Sequence, residues 1–228
     1  MIWIIFGGIM LVSMLVQWRF KSKFTKYSEM PLSSGMTGRD IAQKMLNDHG
    51  IFDVQIISAP GKLTDHYNPA NRTVNLSPEV YSGRSIAAAA VAAHECGHAI
   101  QHAKAYSWLQ FRSAMVPIVS LASKLVQWLL MIGVMILIFN NSPIVLAVGV
   151  AALGITTLFA FVTLPVEFDA SNRALAWLDA NRGIMSSSTE HSGAKDALWW
   201  AAMTYVVAAL SSLVMLLYYA SMLLGRRD

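Results

Sequence analysis

The sequence predicts a mainly α-helical membrane protein, with about four transmembrane helices and an α+β region on one face of the membrane. Hydrophobic residues make up 55% of the 228-residue chain and charged residues only 13%. The mean hydropathy is +0.48. A soluble protein of average composition carries about 25% charged residues. The apolar residues are concentrated in four long segments, and the main polar region lies between the first and the second of them.

The first apolar segment, residues 2–18, is long enough to cross a hydrocarbon core of about 30 Å. It has neither a basic start nor a small-residue cleavage site, so we expect a retained anchor in residues 1–20. Four basic residues follow: Arg19, Lys21, Lys23 and Lys26. They predict that residues 21–113 lie on the cytoplasmic side. Arg226 and Arg227 follow the last of the four predicted spans and favour the opposite orientation. They are two charges against four, so we expect the first orientation.

The polar region is predicted to contain helices and short strands. Thr37 precedes a helix with one apolar face that ends at Gly50. Residues 52–57 and 72–76 have the composition of strands. We expect the second strand to be an edge strand beside the helix that follows, where it could hold an extended peptide by β-augmentation.

That helix carries the residues with the clearest chemistry. Ser85, a common helix-capping residue type, precedes an alanine-rich run that ends in His94-Glu95-Cys96-Gly97-His98, a match to H-E-x-x-H. On a helix, His94 and His98 lie one turn apart and can bind one metal ion, while Glu95 can reach a water molecule. This pattern is typical of zinc, which lowers the pKa of such a water to about 7. A carboxylate among small apolar residues also favours a nearby cation.

The composition argues against a nucleic-acid partner and excludes an internal disulfide. The net charge of +4 is not concentrated in a basic stripe with interleaved aromatic residues, so we expect no nucleic-acid partner. Cys96 is the only cysteine, so no internal disulfide can form. Its position within the motif points away from the metal, and we interpret it as a small core residue.

The second half of the chain is predicted to be mostly transmembrane. Residues 114–164 form a hairpin of two spanning helices, and its short uncharged turn lies outside the cell. Residues 165–196 form a helix that carries a third metal ligand. Residues 197–228 form the last transmembrane helix, which is longer than a bilayer requires.

A catalytic zinc site needs a third protein ligand besides two histidines. His102 is about 12 Å from His94 along a helix that rises ~1.5 Å per residue, which is too far for one ion. Glu167 fits best, because it begins a helix where the third span leaves the membrane. Four alternatives remain: Asp169, Asp179, Glu190 and His191.

Three further polar residues are candidate auxiliaries. Arg173 could pair with a carboxylate that binds the metal or supports a ligand. His66 or Tyr67 could donate a hydrogen bond to the developing oxyanion, although both also suit an ordinary polar turn.

Several motifs match a known family in the same order. They are LTDHYNP at 63–69, VNLS at 74–77, AAHECGHAIQH at 92–102, LPVEFDASNRAL at 164–175 and MTYVVAA at 203–209. In this combination the chain resembles the YugP-type neutral zinc metallopeptidases of bacterial membranes, over residues 36–209. The order is also similar to that of the HtpX-type membrane peptidases and the CAAX prenyl endopeptidases, which share a gluzincin-like plan.

The resemblance implies a multi-spanning membrane peptidase with a zincin-like catalytic region. It implies that His94, His98 and Glu167 hold one zinc ion per chain and that Glu95 is the general base. Tyr205, in the last motif, becomes a further auxiliary candidate. The HtpX-type pattern has E-x-x-x-D, and this sequence departs from it.

The departure lies close to the third ligand. Ser171 stands four residues after Glu167, and Asp169 is the nearest acid. The supporting role of the HtpX-type aspartate therefore does not carry over to this chain.

We therefore expect a zinc-dependent endopeptidase in the bacterial inner membrane, multi-pass, with its catalytic region in the cytoplasm. Its partners would be the lipid bilayer and polypeptide substrates, chiefly membrane proteins. Two alternatives remain open. One is an intramembrane, site-2-like protease whose motif helix lies in lipid and whose third ligand is Asp179. The other is a non-catalytic, zinc-binding membrane scaffold.

Overall fold

The computed structural model describes residues 2–225, with side chains from residue 6 onward. Arg226 and Arg227, and the orientation argument based on them, therefore lie outside the described residues. The described chain is mainly helical, as predicted. In chain order its elements are α1 (Ile2–Ser28), α2 (Gly38–Asp48), β1 (Gln55–Ser58), β2 (His66–Asn68), β3 (Thr73–Leu76), α3 (Pro78–Tyr81), α4 (Ile86–Ala103), α5 (Ser107–Asn140), α6 (Ile144–Ala180) and α7 (Ser188–Leu224).

Within the described residues, three helices are long and apolar enough to cross a membrane, namely α5, α6 and α7. The prediction of a fourth span in residues 1–20 is wrong on this criterion. Residues 2–20 are helical, but α1 continues past Trp18 through Arg19, Lys21 and Lys23. The described side chains of α1 therefore contain no sufficiently long apolar stretch. Instead, α1 packs along α7.

The three long helices are less interrupted than predicted. The predicted divisions after residues 113, 164 and 196 all fall inside helices. The helix α6 runs through Pro165, which lacks one backbone donor but does not end the helix. The helix α7 begins earlier than predicted because Ser187 and Glu190 form a capping box at its start. As a result, Glu167 lies on the same rigid helix that extends through the predicted membrane span.

The sheet of the polar region has the order β1-β3-β2. The strand β3 is parallel to β1 and antiparallel to β2. Our prediction that residues 72–76 form an edge strand is therefore wrong, because β3 is central and all four of its residues are buried. The strand beside α4 at the edge is β2, which pairs His66 with Asn75 and Tyr67 with Val74.

The helix α4 is enclosed by protein, and α2, α6 and α7 pack against it. Ser85 caps its first turn, as predicted, by accepting a hydrogen bond from the backbone N–H of Ala88. The helices α4 and α6 approach each other closely at Gly97. A Cβ atom there would lie 2.6 Å from the carbonyl oxygen of Ala170. The glycine inside the motif therefore allows α6 to lie directly against the two histidines.

Candidate metal centre

The closest cluster of metal-binding side chains joins α4 to α6. His94, His98 and Glu167 each direct one candidate ligand atom to a common point, and these atoms lie within 4.8 Å of one another. The Oε2 atom of Glu167 is 3.4 Å from Nε2 of His94 and 3.7 Å from Nε2 of His98. The two imidazole rings meet edge to face, with centroids 4.8 Å apart. The structure thus brings together the three residues that the sequence nominated as ligands.

The donor set fits zinc. Two imidazole nitrogens and one carboxylate oxygen form a common ligand set of catalytic zinc sites. The other ring nitrogen of each histidine already has a partner. Nδ1 of His94 is 3.1 Å from the Ser171 hydroxyl, and Nδ1 of His98 is 3.0 Å from Oε1 of Gln101. Such partners orient a metal-binding imidazole, so both Nε2 atoms are available on the side of Glu167.

Glu95 lies beside the three candidate ligands and is itself buried. Its Oε2 atom accepts a hydrogen bond of 3.0 Å from the backbone N–H of Tyr67, at the edge of the sheet. Burial raises the pKa of the Glu95 carboxyl, and the neighbouring His94 and His98 partly oppose that rise. A carboxyl with a raised pKa is suited to accept and return a proton near neutral pH.

Two groups that approach Glu167 come from the predicted membrane helices α5 and α7. Nη1 of Arg112 is 3.5 Å from Oε1 of Glu167. Tyr205 also interacts with Glu167 through its hydroxyl. Tyr205 was an auxiliary candidate, whereas sequence reasoning missed Arg112. A single arginine near the start of an apolar helix is common at a membrane surface, so no sequence pattern marked Arg112 as part of a site.

Two cavities of about 230 and 280 Å³ meet at this centre. Both are lined by Asp65, His94, Glu95, Glu167 and Tyr205. The first extends between α1 and α7 along mostly apolar side chains, among them Phe20, Phe24, Leu63, Ala201 and Ala202. The second extends towards α5 and includes His66, Tyr67, Pro69, Arg112 and Ser113. Together they form a cleft that passes the candidate metal ligands on both sides.

The auxiliary candidates in β2 occupy different places. His66 lines the second cavity, and its Nδ1 atom is 2.7 Å from the carbonyl oxygen of Thr64. The Tyr67 hydroxyl is 2.7 Å from Nδ1 of His102. Tyr67 therefore meets Glu95 through its main chain, while its hydroxyl is engaged elsewhere.

Asp169 and Arg173 form an ion pair on α6, with Nε of Arg173 2.5 Å from Oδ2 of Asp169. The same Asp169 oxygen accepts a hydrogen bond of 2.8 Å from Nε2 of Gln101. Asp169 is therefore linked to His98 through Gln101 and is not part of the ligand cluster. Gln101 was missed by sequence reasoning, although it lies one turn after His98 on the same helix.

The remaining ligand candidates have other partners. Asp179 and His191 form an ion pair with a distance of 2.7 Å between Oδ1 and Nδ1. Glu190 accepts hydrogen bonds from the main chain and hydroxyl of Ser33 and from Ser187. It therefore ties the loop before α2 to the start of α7. None of these three residues belongs to the cluster around Glu167 in the described part of the chain.

Two more residues near the centre had no role assigned from the sequence. Ser171, noted above as a departure from the HtpX-type pattern, contacts His94 directly. Asp65 lines both cavities and accepts hydrogen bonds from the main chain and hydroxyl of Ser77. Burial raises the pKa of Asp65, and the hydrogen bonds from Ser77 oppose that rise. The polar turn that contains Asp65 is thus anchored beside Glu95.

Comparison with known proteins identifies the family of this chain. The protein described as "Putative membrane protease YugP", from Bacillus subtilis (strain 168), is 41% identical over 217 residues, which cover 95% of this chain and 94% of the relative. No solved structure matches this chain. The family model described as putative neutral zinc metallopeptidase matches residues 2–224. The chain therefore belongs to the putative neutral zinc metallopeptidase family.

Proposed function

We propose that this protein is a zinc-dependent endopeptidase of the membrane, which hydrolyses peptide bonds of membrane or membrane-proximal proteins. The observation that carries the proposal is the convergence of His94, His98 and Glu167 in a cleft, with Glu95 beside them. This arrangement supports a gluzincin-like site, in which a glutamate from a second helix would complete the ligand set.

The reaction divides between the metal and the residues of the chain. Zinc held by His94, His98 and Glu167 would polarise the peptide carbonyl and lower the pKa of a water molecule to about 7. Glu95 accepts a proton as that water attacks the carbonyl carbon. It then gives the proton to the leaving nitrogen as the C–N bond breaks.

Residues on the cleft walls would assist this reaction. Tyr205 and His66 line the second cavity. The Tyr205 hydroxyl can donate a hydrogen bond to the oxygen that develops negative charge. Because Nδ1 of His66 faces the carbonyl oxygen of Thr64, His66 can donate one only as an imidazolium, through Nε2. Arg173 would act indirectly, through its ion pair with Asp169. The free edge of β2 is the strand edge next to Glu95, and it is suited to bind an extended substrate main chain.

The position of the centre supports a membrane-associated substrate. Glu167 lies towards the end of α6, beyond its long apolar stretch. Trp108 at the start of α5 and Trp199 near the start of α7 are exposed, and tryptophan is enriched at membrane interfaces. The centre would then lie close to the membrane surface. The proposal retains the inner membrane and the cytoplasmic side for the catalytic region, as expected from the sequence.

Hydrolysis by the purified full-length protein in lipid nanodiscs tests the proposal, with an unfolded membrane protein as substrate. Cleavage should stop with a zinc chelator and return when zinc is added. Glu95→Gln should retain zinc but lose about 10²–10⁴-fold in turnover, the usual contribution of a general base. A Glu95→Gln protein that cleaves at the wild-type rate would contradict the assignment. Zinc binding without cleavage of any substrate would favour the scaffold alternative.

A further inference from the structure

Gln101 is fully buried between α4 and α6, although its side chain is polar. Its Nε2 atom donates two hydrogen bonds of 2.8 Å, to the carbonyl oxygen of Val166 and to Oδ2 of Asp169. Its Oε1 atom is 3.0 Å from Nδ1 of His98. Each polar atom of this buried amide is therefore paired, as burial of a polar group requires.

The chemistry of these partners fixes the orientation of the amide. A backbone carbonyl and an ionised carboxylate only accept hydrogen bonds, so the amide nitrogen must face Val166 and Asp169. The amide oxygen must then face His98. Because that oxygen only accepts, Nδ1 of His98 must carry the proton. Nε2 of a neutral imidazole in this tautomer has a free lone pair, and it faces Glu167 at 3.7 Å.

Asp169 is itself held in place, so the amide cannot reverse without losing two hydrogen bonds. Arg173 binds Asp169 through Nε, and the guanidinium group lies over the ring of Tyr106, 5.7 Å from its centroid. An unbroken series of contacts thus runs from the start of α5 through Asp169 and Gln101 to His98. The residue of this series that contacts His98 is Gln101, which is neutral. It therefore places no further carboxylate in a centre that already contains Glu95 and Glu167.

The other histidine of the centre, His94, provides a natural comparison. Its partner, the hydroxyl of Ser171, can either donate or accept a hydrogen bond. Ser171 therefore permits both tautomers of His94, whereas Gln101 permits only one tautomer of His98.

We propose that Gln101 is a positioning residue that selects the metal-binding tautomer of His98, with Asp169 and Arg173 fixing its amide. This inference rests on the proposed zinc site and adds to it a series of supporting residues outside the H-E-x-x-H motif. It also explains the departure from E-x-x-x-D. Asp169 acts on His98 through Gln101, while Ser171 contacts His94 directly.

Metal binding by Gln101→Leu tests the inference without any peptidase assay. The full-length protein in detergent is titrated with Zn²⁺ against a chelator of known affinity, and Co²⁺ replaces zinc for visible absorption spectra. We expect Gln101→Leu to bind zinc about 10–100-fold more weakly, the usual cost of losing a partner of a ligand. Its Co²⁺ spectrum should also change. The matched control Ser171→Ala should show a smaller loss.

Asp169→Asn is a second variant that preserves side-chain size. It should give an intermediate loss of affinity, because asparagine can present its amide nitrogen to Gln101 and so weaken the fixed orientation. Thermal unfolding of the metal-free variants reports whether each one is folded.

The outcomes separate this inference from the function itself. If folded Gln101→Leu binds zinc as tightly as wild type and gives the same Co²⁺ spectrum, the role of Gln101 is overturned and the zinc site stands. Equal losses in Gln101→Leu and Ser171→Ala would contradict the selection of one tautomer. A wild-type protein with no affinity for zinc would overturn the proposed function and this inference with it.

Discussion

Glu95 and Glu167 are both buried at one centre, yet their surroundings differ in charge. Glu167 faces the imidazoles of His94 and His98 and the guanidinium group of Arg112. Glu95 accepts one hydrogen bond, from the main chain of Tyr67. Burial raises the pKa of Glu95 against the effect of the histidines, and the nearby carboxylates add to the rise.

The comparison shows how two identical side chains can take different roles. Glu167 has a cationic partner in Arg112, which stabilises a fixed negative charge, as the proposed metal ligand requires. Glu95 has surroundings in which gaining a proton costs little, as a general base requires. We propose the role of Glu95 from its position in the motif and that of Glu167 from its position beside the two histidines, and these surroundings supply a physical reason for both.

The largest expected effect concerns Tyr205, which interacts with Glu167 but also lines both cavities. If its hydroxyl serves the reacting carbonyl, Tyr205→Phe should lower turnover by about 10²-fold, as loss of an oxyanion donor usually does. Zinc content should not change. Steady-state kinetics and elemental analysis on the same preparation measure both effects. Loss of zinc in Tyr205→Phe would instead show that Tyr205 supports only Glu167.

The second prediction alters the spacing between the helices that carry the two glutamates. Gly97→Ala places a methyl group 2.6 Å from the carbonyl oxygen of Ala170, so α4 and α6 must move apart. We expect a loss of about 1–3 kcal/mol in the free energy of unfolding. We also expect weaker zinc binding, because Glu167 moves with α6. Denaturant unfolding and zinc titration measure these changes.

A matched control for this prediction is Gly154→Ala in α6, where the added atom meets only an ordinary contact at 3.9 Å. It should be neutral or slightly stabilising, since alanine favours helix over glycine. Equal destabilisation by Gly97→Ala and Gly154→Ala would contradict the close approach of α4 and α6.

The smallest expected effect compares the two glutamates in the metal-free protein. The folded state raises the pKa of Glu95 above the value of about 4.3 in an unfolded chain, so it binds that proton more tightly. The stability contributed by protonated Glu95 is therefore lost as pH rises through its folded pKa. Glu95→Gln should stabilise the metal-free protein at neutral pH, and this gain should vanish near about pH 4.

Glu167→Gln should have the opposite sign, because it removes the negative charge that faces the guanidinium group of Arg112. Thermal unfolding in the presence of a chelator, between about pH 4 and pH 8, measures both variants. Glu29→Gln, which changes an exposed acid, is the control for loss of one charge. A change of the same sign in Glu95→Gln and Glu167→Gln would refute the proposed difference between their surroundings.

Features with local sequence patterns were predicted well. The motif helix begins directly after Ser85, the capping residue identified in the sequence. The helix predicted to open at Thr37 begins at Gly38, and Thr37 is its cap. Glu167 was chosen from its place after an apolar segment, and the structure brings it to the two histidines. In each case a capping residue, a helical repeat or a change in hydropathy carries the information within a few residues.

Features that depend on distant contacts could not be predicted from local patterns. The strand β2 has three residues, and its edge position follows from pairing with β3. The contact between Gln101 and Asp169 depends on the crossing of α4 and α6 at Gly97. The division predicted after residue 164 separated a membrane span from a second helix, yet α6 continues through Pro165.

Zinc stoichiometry tests the central claim most directly. Elemental analysis would compare detergent-purified wild type, Glu95→Gln and Glu167→Ala. The two-helix site predicts about one zinc per chain in wild type and in Glu95→Gln, because catalytic zinc needs three protein ligands and Glu95 is not among them. It predicts loss of zinc in Glu167→Ala. Full zinc in Glu167→Ala, or none in freshly prepared wild type, would contradict the assignment of His94, His98 and Glu167 as the metal site.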